Sequence, residues 1–289
     1  MIRPCMGTTF RKLRKSATVR IRALRISVPC ERLSPRFARL VVGSLIFAAL
    51  LCPERLQAEP SGGTSLDLTT GVMTAYVFRG ITRADGASLQ PSASLTHENF
   101  TLGALSAELW AHVPLEGEAE DSDVFREVDG TLRLSRPFGP ITLSVGHVHY
   151  FYPRKGDQLP DTAELLAEVQ FQSILNPRVT GYHDYRANDS STVELSLHDR
   201  LEYDWFGGVN VSPFVVAAWT ASRDPRFERD GIAHITSGLM SEIPLAQVVL
   251  VPNVHYTHAI DGATESGFWG GIVISTSFEL ARTEVSQTR

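Results

Sequence analysis

Apolar and polar residues alternate along most of this chain with a period of two. The clearest stretch is STVELSLHDRLEYDW, residues 191–205. One parity carries Val193, Leu195, Leu197, Leu201, Tyr203 and Trp205, with Asp199 among them; the other carries Glu194, His198, Arg200, Glu202 and Asp204. A strand turns alternate side chains to opposite faces, so this segment predicts a strand with one oily and one charged face. The same split places Leu165, Ala167, Val169 and Phe171 against Glu164, Glu168 and Gln170, and Val128, Leu132 and Leu134 against Glu127, Asp129 and Arg133. In GFWGGIVISTSFEL, Phe268 and Phe278 share a parity ten residues apart. At ~3.3 Å per residue and ~45° tilt that is roughly 23 Å, the spacing of two aromatic girdles on a membrane barrel.

Twelve such segments are predicted, at about 66–79, 88–97, 100–113, 124–136, 141–152, 163–173, 178–187, 191–206, 208–220, 232–243, 246–258 and 267–279. Their links alternate in character. ITRADGA, LEGEAEDSD, PRKGDQLPDT, the stretch around NDS, ASRDPRFERDG and IDGATES are long and polar; HENF, PFGP, LNPR, FGG and IPLA are tight. Short turns at one end and long loops at the other, with an even strand count, predict an all-β fold: one antiparallel transmembrane barrel of about twelve strands. A soluble β-sandwich explains the period equally well, with the oily parity turned to a core.

The start of the chain has a different composition. Residues 1–39 hold eleven Arg or Lys and one acid, and LVVGSLIFAALLC follows at 40–52. A basic region, a short apolar run and a small residue at a polar boundary predict a secretory signal peptide over 1–58. A short linker, 59–65, would precede a barrel over 66–280 and a tail over 281–289. A lipoprotein signal ending at Cys52 is the rival reading. All three cysteines precede residue 59, so the remainder offers no disulfide or thiol chemistry. Twelve of the 27 cations and two of the 32 acids also precede it, leaving 15 against 30, a net charge of −15. Nucleic acid, which wants a basic stripe, is disfavoured as a partner.

If the barrel forms, Glu127, Asp129, Arg133, Glu164, Glu168, Arg186, Glu194, His198, Arg200, Glu202 and Asp204 point into its lumen. A ring of charge in a water-filled pore sets ion selectivity, and the excess of acids favours cations or neutral solutes. The reading of equal weight is that the same groups pair across strands and hold a narrow barrel shut.

Other chemistry is thin. His147 and His149 share a strand face that can hold zinc, but no third ligand has a fixed spacing. With Tyr150, Phe151 and Tyr152 they read as an interfacial belt. The acidic run of Glu116, Glu118, Glu120, Asp121 and Asp123 lacks a calcium-loop pattern and reads as a solvated loop. No nucleophile signature is present, so a barrel-embedded hydrolase is the least favoured class, and neither metal nor cofactor is expected.

The stretch YVFRGITRADGASLQ, residues 76–90, resembles the first hairpin of the TorF-type family of bacterial outer-membrane porins. The likeness is carried by Tyr76, Phe78, Arg79, Gly80, Ile81, Thr82, Asp85, Gly86 and Gln90, then by Glu127-Val128-Asp129 and GHVHYFYP at 146–153. It implies an outer-membrane location, contact with outer-membrane lipid and lipopolysaccharide, and delivery by the barrel-assembly machinery. It further implies passive passage of small solutes; a structural or adhesive barrel with an occluded lumen is the alternative. Arg79 ends the first strand, either as a rim anchor paired to an acid or as a constriction residue.

Overall fold

The computed structural model describes residues 63–100, 102–115, 125–153, 160–187, 189–199, 201–203, 209–222, 231–260 and 266–282. Residues 1–62, where a basic leader and signal segment are expected, and nearly all of the acidic run at 115–123 lie outside the described residues, as do Arg200, Asp204 and residues 283–289. The described chain is all strand: β1 (Gly63–Phe78), β2 (Ile81–Phe100), β3 (Gly103–Pro114), β4 (Glu127–Phe138), β5 (Ile141–Phe151), β6 (Thr162–Phe171), β7 (Arg178–Asp184), β8 (Ser190–His198), β9 (Leu201–Tyr203), β10 (Val209–Ser222), β11 (Gly231–Leu245), β12 (Val248–Ala259) and β13 (Gly267–Arg282).

Every strand pairs antiparallel with its neighbours, and the sheet closes on itself. Strands β8 and β9 both pair with β10, so they form one wall strand interrupted near residue 200. The wall therefore has twelve staves, with the seam where β1 meets β13, Gly71 opposite Val273. Closure leaves no sheet edge, which is what a sheet needs if it is to cross a hydrocarbon layer.

The oily parity points outward. Leu132 is 53 % exposed, and Leu109, Leu143, Val145, Leu165, Leu195 and Ile272 are also exposed on the outer face. Glu127, Glu164 and Glu168 are buried on the inner one. A soluble sandwich would require the reverse. Outward aromatics form two bands: Phe138, Phe171 and Phe278 near the tight turns, and Phe151, Tyr185, Trp219, Tyr256 and Phe268 near the long links. A closed antiparallel barrel that is apolar outside and ionic inside is a transmembrane β-barrel.

One link departs from the sequence expectation. ITRADGA is not a loop: β1 and β2 are joined by Arg79 and Gly80 alone, with Phe78 opposite Ile81 and Ala75 opposite Asp85. Asp85, Gly86 and Gln90 therefore lie inside β2. Arg79 and Gly80 both have positive φ, 47° and 77°, the requirement of a type I′ hairpin turn. The usual occupants of such a turn are Asn, Asp and Gly, so the arginine gave no hairpin signal.

Candidate functional site

Two register shifts, between Met73 and Ala75 and between Tyr76 and Val77, interrupt the β1–β2 ladder just before the turn. Bulges bend a hairpin and raise its twist. The bent tip reaches residues of β5, β6 and β7, four to six staves from β1, and of β11, three staves away on the other side. It therefore crosses the lumen.

Arg79 makes the crossing contact. Its Nη1 donates to Glu164 Oε1 at 2.8 Å and its Nη2 to Glu164 Oε2 at 2.6 Å, a bidentate pair. The side chains are only 13 % and 8 % exposed. Nη2 also lies 3.3 Å from the Tyr150 hydroxyl, which donates to Glu164 Oε2 at 2.8 Å. The guanidinium stacks over the Tyr182 ring at 3.7 Å, and Phe78 meets Tyr150 edge-on at 5.7 Å. Charge-assisted bonds plus aromatic faces are the environment in which a dehydrated guanidinium is best compensated. Gly80 backs onto β11, where a Cβ would run into the His234 ring. Glycine is required there both by φ and by space.

A second ionic cluster lies toward the tight turns. Glu168 accepts from Arg133 at 3.3 Å and from Thr180 Oγ1 at 3.1 Å, with Arg178 Nε at 3.9 Å. Between this cluster and the hairpin tip is a chamber of about 490 Å³, lined by Phe78, Arg79, Glu108, Asp129, Arg133, Val148, Leu166, Tyr182 and Glu194 among others. On the other side of the tip, Tyr76 packs against Trp110 and His112, and Tyr152 donates to Glu127 at 3.2 Å.

The inner face thus holds Glu127, Asp129, Arg133, Glu164, Glu168 and Glu194, with His198 on the same parity of β8. Arg186 is not on the wall: it is exposed beyond the end of β7, where its backbone N–H caps Asp184. The backbone of Glu202 belongs to β9. Tyr150 and Tyr152 depart from the rim-belt expectation. Tyr150 is 4 % exposed and inward, Tyr152 bonds inward to Glu127, and only Phe151 of the three faces out. Their parity carried that information, but Val148 and Val145 make both faces of β5 look apolar. His147 and His149 do face outward, with His147 Nε2 2.9 Å from the Tyr185 hydroxyl. Among the described residues no cluster of His, Cys, Asp and Glu has metal-site geometry. Sequence reasoning missed Glu108, Tyr182 and the inward Phe78, because a polar hairpin read as a loop gave no reason to look for its lumen partners.

No family model and no curated protein matches the chain. Among solved structures it is similar to an outer membrane channel from Pseudomonas putida F1, at TM-score 0.49 and 13% identity over 79% of this chain and 100% of that chain. It is also similar to the β domain of the Bordetella autotransporter BrkA (TM-score 0.36, 12% identity, 75% of this chain and 100% of that one). A third likeness is to the transport unit of the autotransporter AIDA-I from Escherichia coli (TM-score 0.29, 8% identity, 84% and 98%). All three are bacterial outer-membrane barrels; the twelve-stave assignment for this chain rests on its own strand register.

Proposed function

We propose that this chain is an outer-membrane channel of the porin type, in which the β1–β2 hairpin sets the narrowest point for small solutes moving passively. The observation that carries the reading is the bent hairpin with an ion-lined chamber beside it: the lumen is narrowed at one level and left open enough next to it to hold a small molecule. The two outward aromatic bands support the membrane placement. Ile141 and Phe151 bound β5 ten residues apart, roughly 23 Å at the same rise and tilt, close to the height of an outer-membrane apolar band. Outer-membrane lipid is then the outer partner, with lipopolysaccharide at the long-link rim, and the barrel-assembly machinery the delivery route. The inward charges Arg79, Glu127, Asp129, Arg133, Glu164, Glu168 and Glu194 set selectivity, with cations favoured over anions.

A second reading has its own support. The bidentate Arg79–Glu164 pair fastens the hairpin to the opposite wall, which suits a barrel whose lumen is closed and whose task is structural. Liposome swelling with the purified, folded protein separates the two. Sugars and amino acids entering at rates above protein-free vesicles support the channel; no swelling with wild type, and none after shortening the hairpin, supports the closed barrel.

A further inference from the structure

The two halves of the inner wall differ in chemistry. From β4 to β8 the inward positions carry Glu127, Asp129, Arg133, Glu164, Glu168 and Glu194. From β10 to β13 the inward positions between Ser212 and Thr220, His234 and Met240, Val249 and Thr257, and Trp269 and Ser277 hold no carboxylate and no Arg or Lys. An aromatic ladder replaces them: Phe214 lies 5.1 Å from His255, which stacks on Trp269 at 3.8 Å and 9°. Gly238 makes room for it, since a Cβ there would come within 2.6 Å of the Phe214 ring. An uncharged inner wall that carries stacked aromatic rings offers a ring face to a solute with an apolar part.

The chamber on the ionic side is unbalanced in the other respect. Its two guanidiniums are committed, Arg79 to Glu164 and Arg133 to Glu168. Its remaining carboxylates, Glu108, Asp129 and Glu194, form no ion pair among the described residues. Asp129 Oδ1 is buried and has no hydrogen-bond partner. A carboxylate oxygen in that state is stabilised most by a cation that brings its own donors.

We infer that the lumen receives an organic cation carrying an apolar group, with its ammonium or guanidinium head among Asp129, Glu194 and Glu108 and its hydrocarbon or ring extending out of the chamber toward the Phe214–His255–Trp269 wall, whose residues do not line the chamber itself. The chamber's 490 Å³ holds a head group and a short chain. The inference rests on the channel reading only for the route of entry, so binding and conduction are measured separately.

The test is calorimetric titration of the folded, detergent-solubilised barrel with hexylammonium, methylammonium and hexanoate, with ion current recorded in parallel. Hexylammonium is expected to bind about tenfold or more tighter than methylammonium, a modest share of the ~0.8 kcal/mol available per buried methylene. Hexanoate is expected not to bind. The isosteric pair Asp129→Asn with Glu194→Gln weakens both amines about tenfold, one charge-assisted contact's worth at 1.4 kcal/mol per decade. Trp269→Ala with Phe214→Ala removes the advantage of the hexyl chain and leaves methylammonium unchanged. Equal binding of hexanoate and hexylammonium, or isosteric variants that bind like wild type, overturns the inference even if current flows. Binding as expected with no current removes the channel reading instead and leaves this one standing.

Discussion

Replacing Glu164 by glutamine removes the charge that holds the hairpin across the lumen while keeping side-chain volume. Of the two guanidinium bonds, at 2.8 Å and 2.6 Å, one loses its acceptor to an amide NH2 and the other is left with a neutral oxygen, while Arg79, 13 % exposed, keeps Tyr150, Tyr182 and Phe78 around it. Breaking a buried pair costs about 3–5 kcal/mol when the remaining charge stays where it is. The hairpin has an escape: its bulged base lets the tip swing toward water, so the loss appears as a shift between docked and released states. Taking about 3 kcal/mol for the difference, at 1.36 kcal/mol per decade, the released population rises by about a hundredfold. If the barrel conducts as proposed, single-channel recording in planar bilayers reads this as longer or more frequent dwells at a larger conductance. Arg79→Gln should act alike, and the double variant should be no more perturbed than either single one, since both remove one interaction. Glu164→Gln channels whose current levels and dwell times match wild type, or two effects that simply add, would refute the latch.

Other expectations follow from the same geometry. Gly80→Ala meets both a φ of 77° and the His234 ring; it should cost about 2–4 kcal/mol in urea unfolding from lipid vesicles, from left-handed strain plus overpacking. Gly139→Ala, at φ 59° with nothing within 4 Å of the added Cβ, should cost only the strain, about 1 kcal/mol. Leu132→Arg places a charge at the middle of β4 on the outward face. In a bilayer this should destabilise by about 2–4 kcal/mol, whereas a value near zero would mean that the face is wet. Glu168→Gln weakens the acceptor shared by Arg133, Thr180 and Arg178. It should lower stability by about 1–3 kcal/mol, read as a lower temperature for the heat-induced mobility shift on gels.

The staves were legible because lipid on one side and water on the other impose strict alternation. The segments at 141–152, 163–173 and 267–279 coincide with β5, β6 and β13 to within a few residues. The inward hairpin was not legible, for a physical reason. Thr82, Arg83, Asp85 and Gly86 are polar because a lumen is polar, and a polar run beside a strand cannot be told from a solvated loop by composition. The Arg79–Glu164 contact joins residues 85 apart, and no local pattern encodes such a partner. Tyr150 illustrates the same limit: its parity places it inside, while its neighbours Phe151 and Tyr152 suggest a rim.

The seam between β1 and β13 has a consequence for the order of assembly. The first strand finds its second neighbour only after the last strand has been delivered, so the two edges must be kept from other partners until then. Arg79 can reach Glu164 only once curvature has brought β6 to face β1; in a flat, unclosed sheet the two are five strands apart. The ion pair is therefore a late event, and its formation records that the circle is complete. A crosslink engineered between positions 79 and 164 would trap finished barrels and spare every intermediate that precedes them.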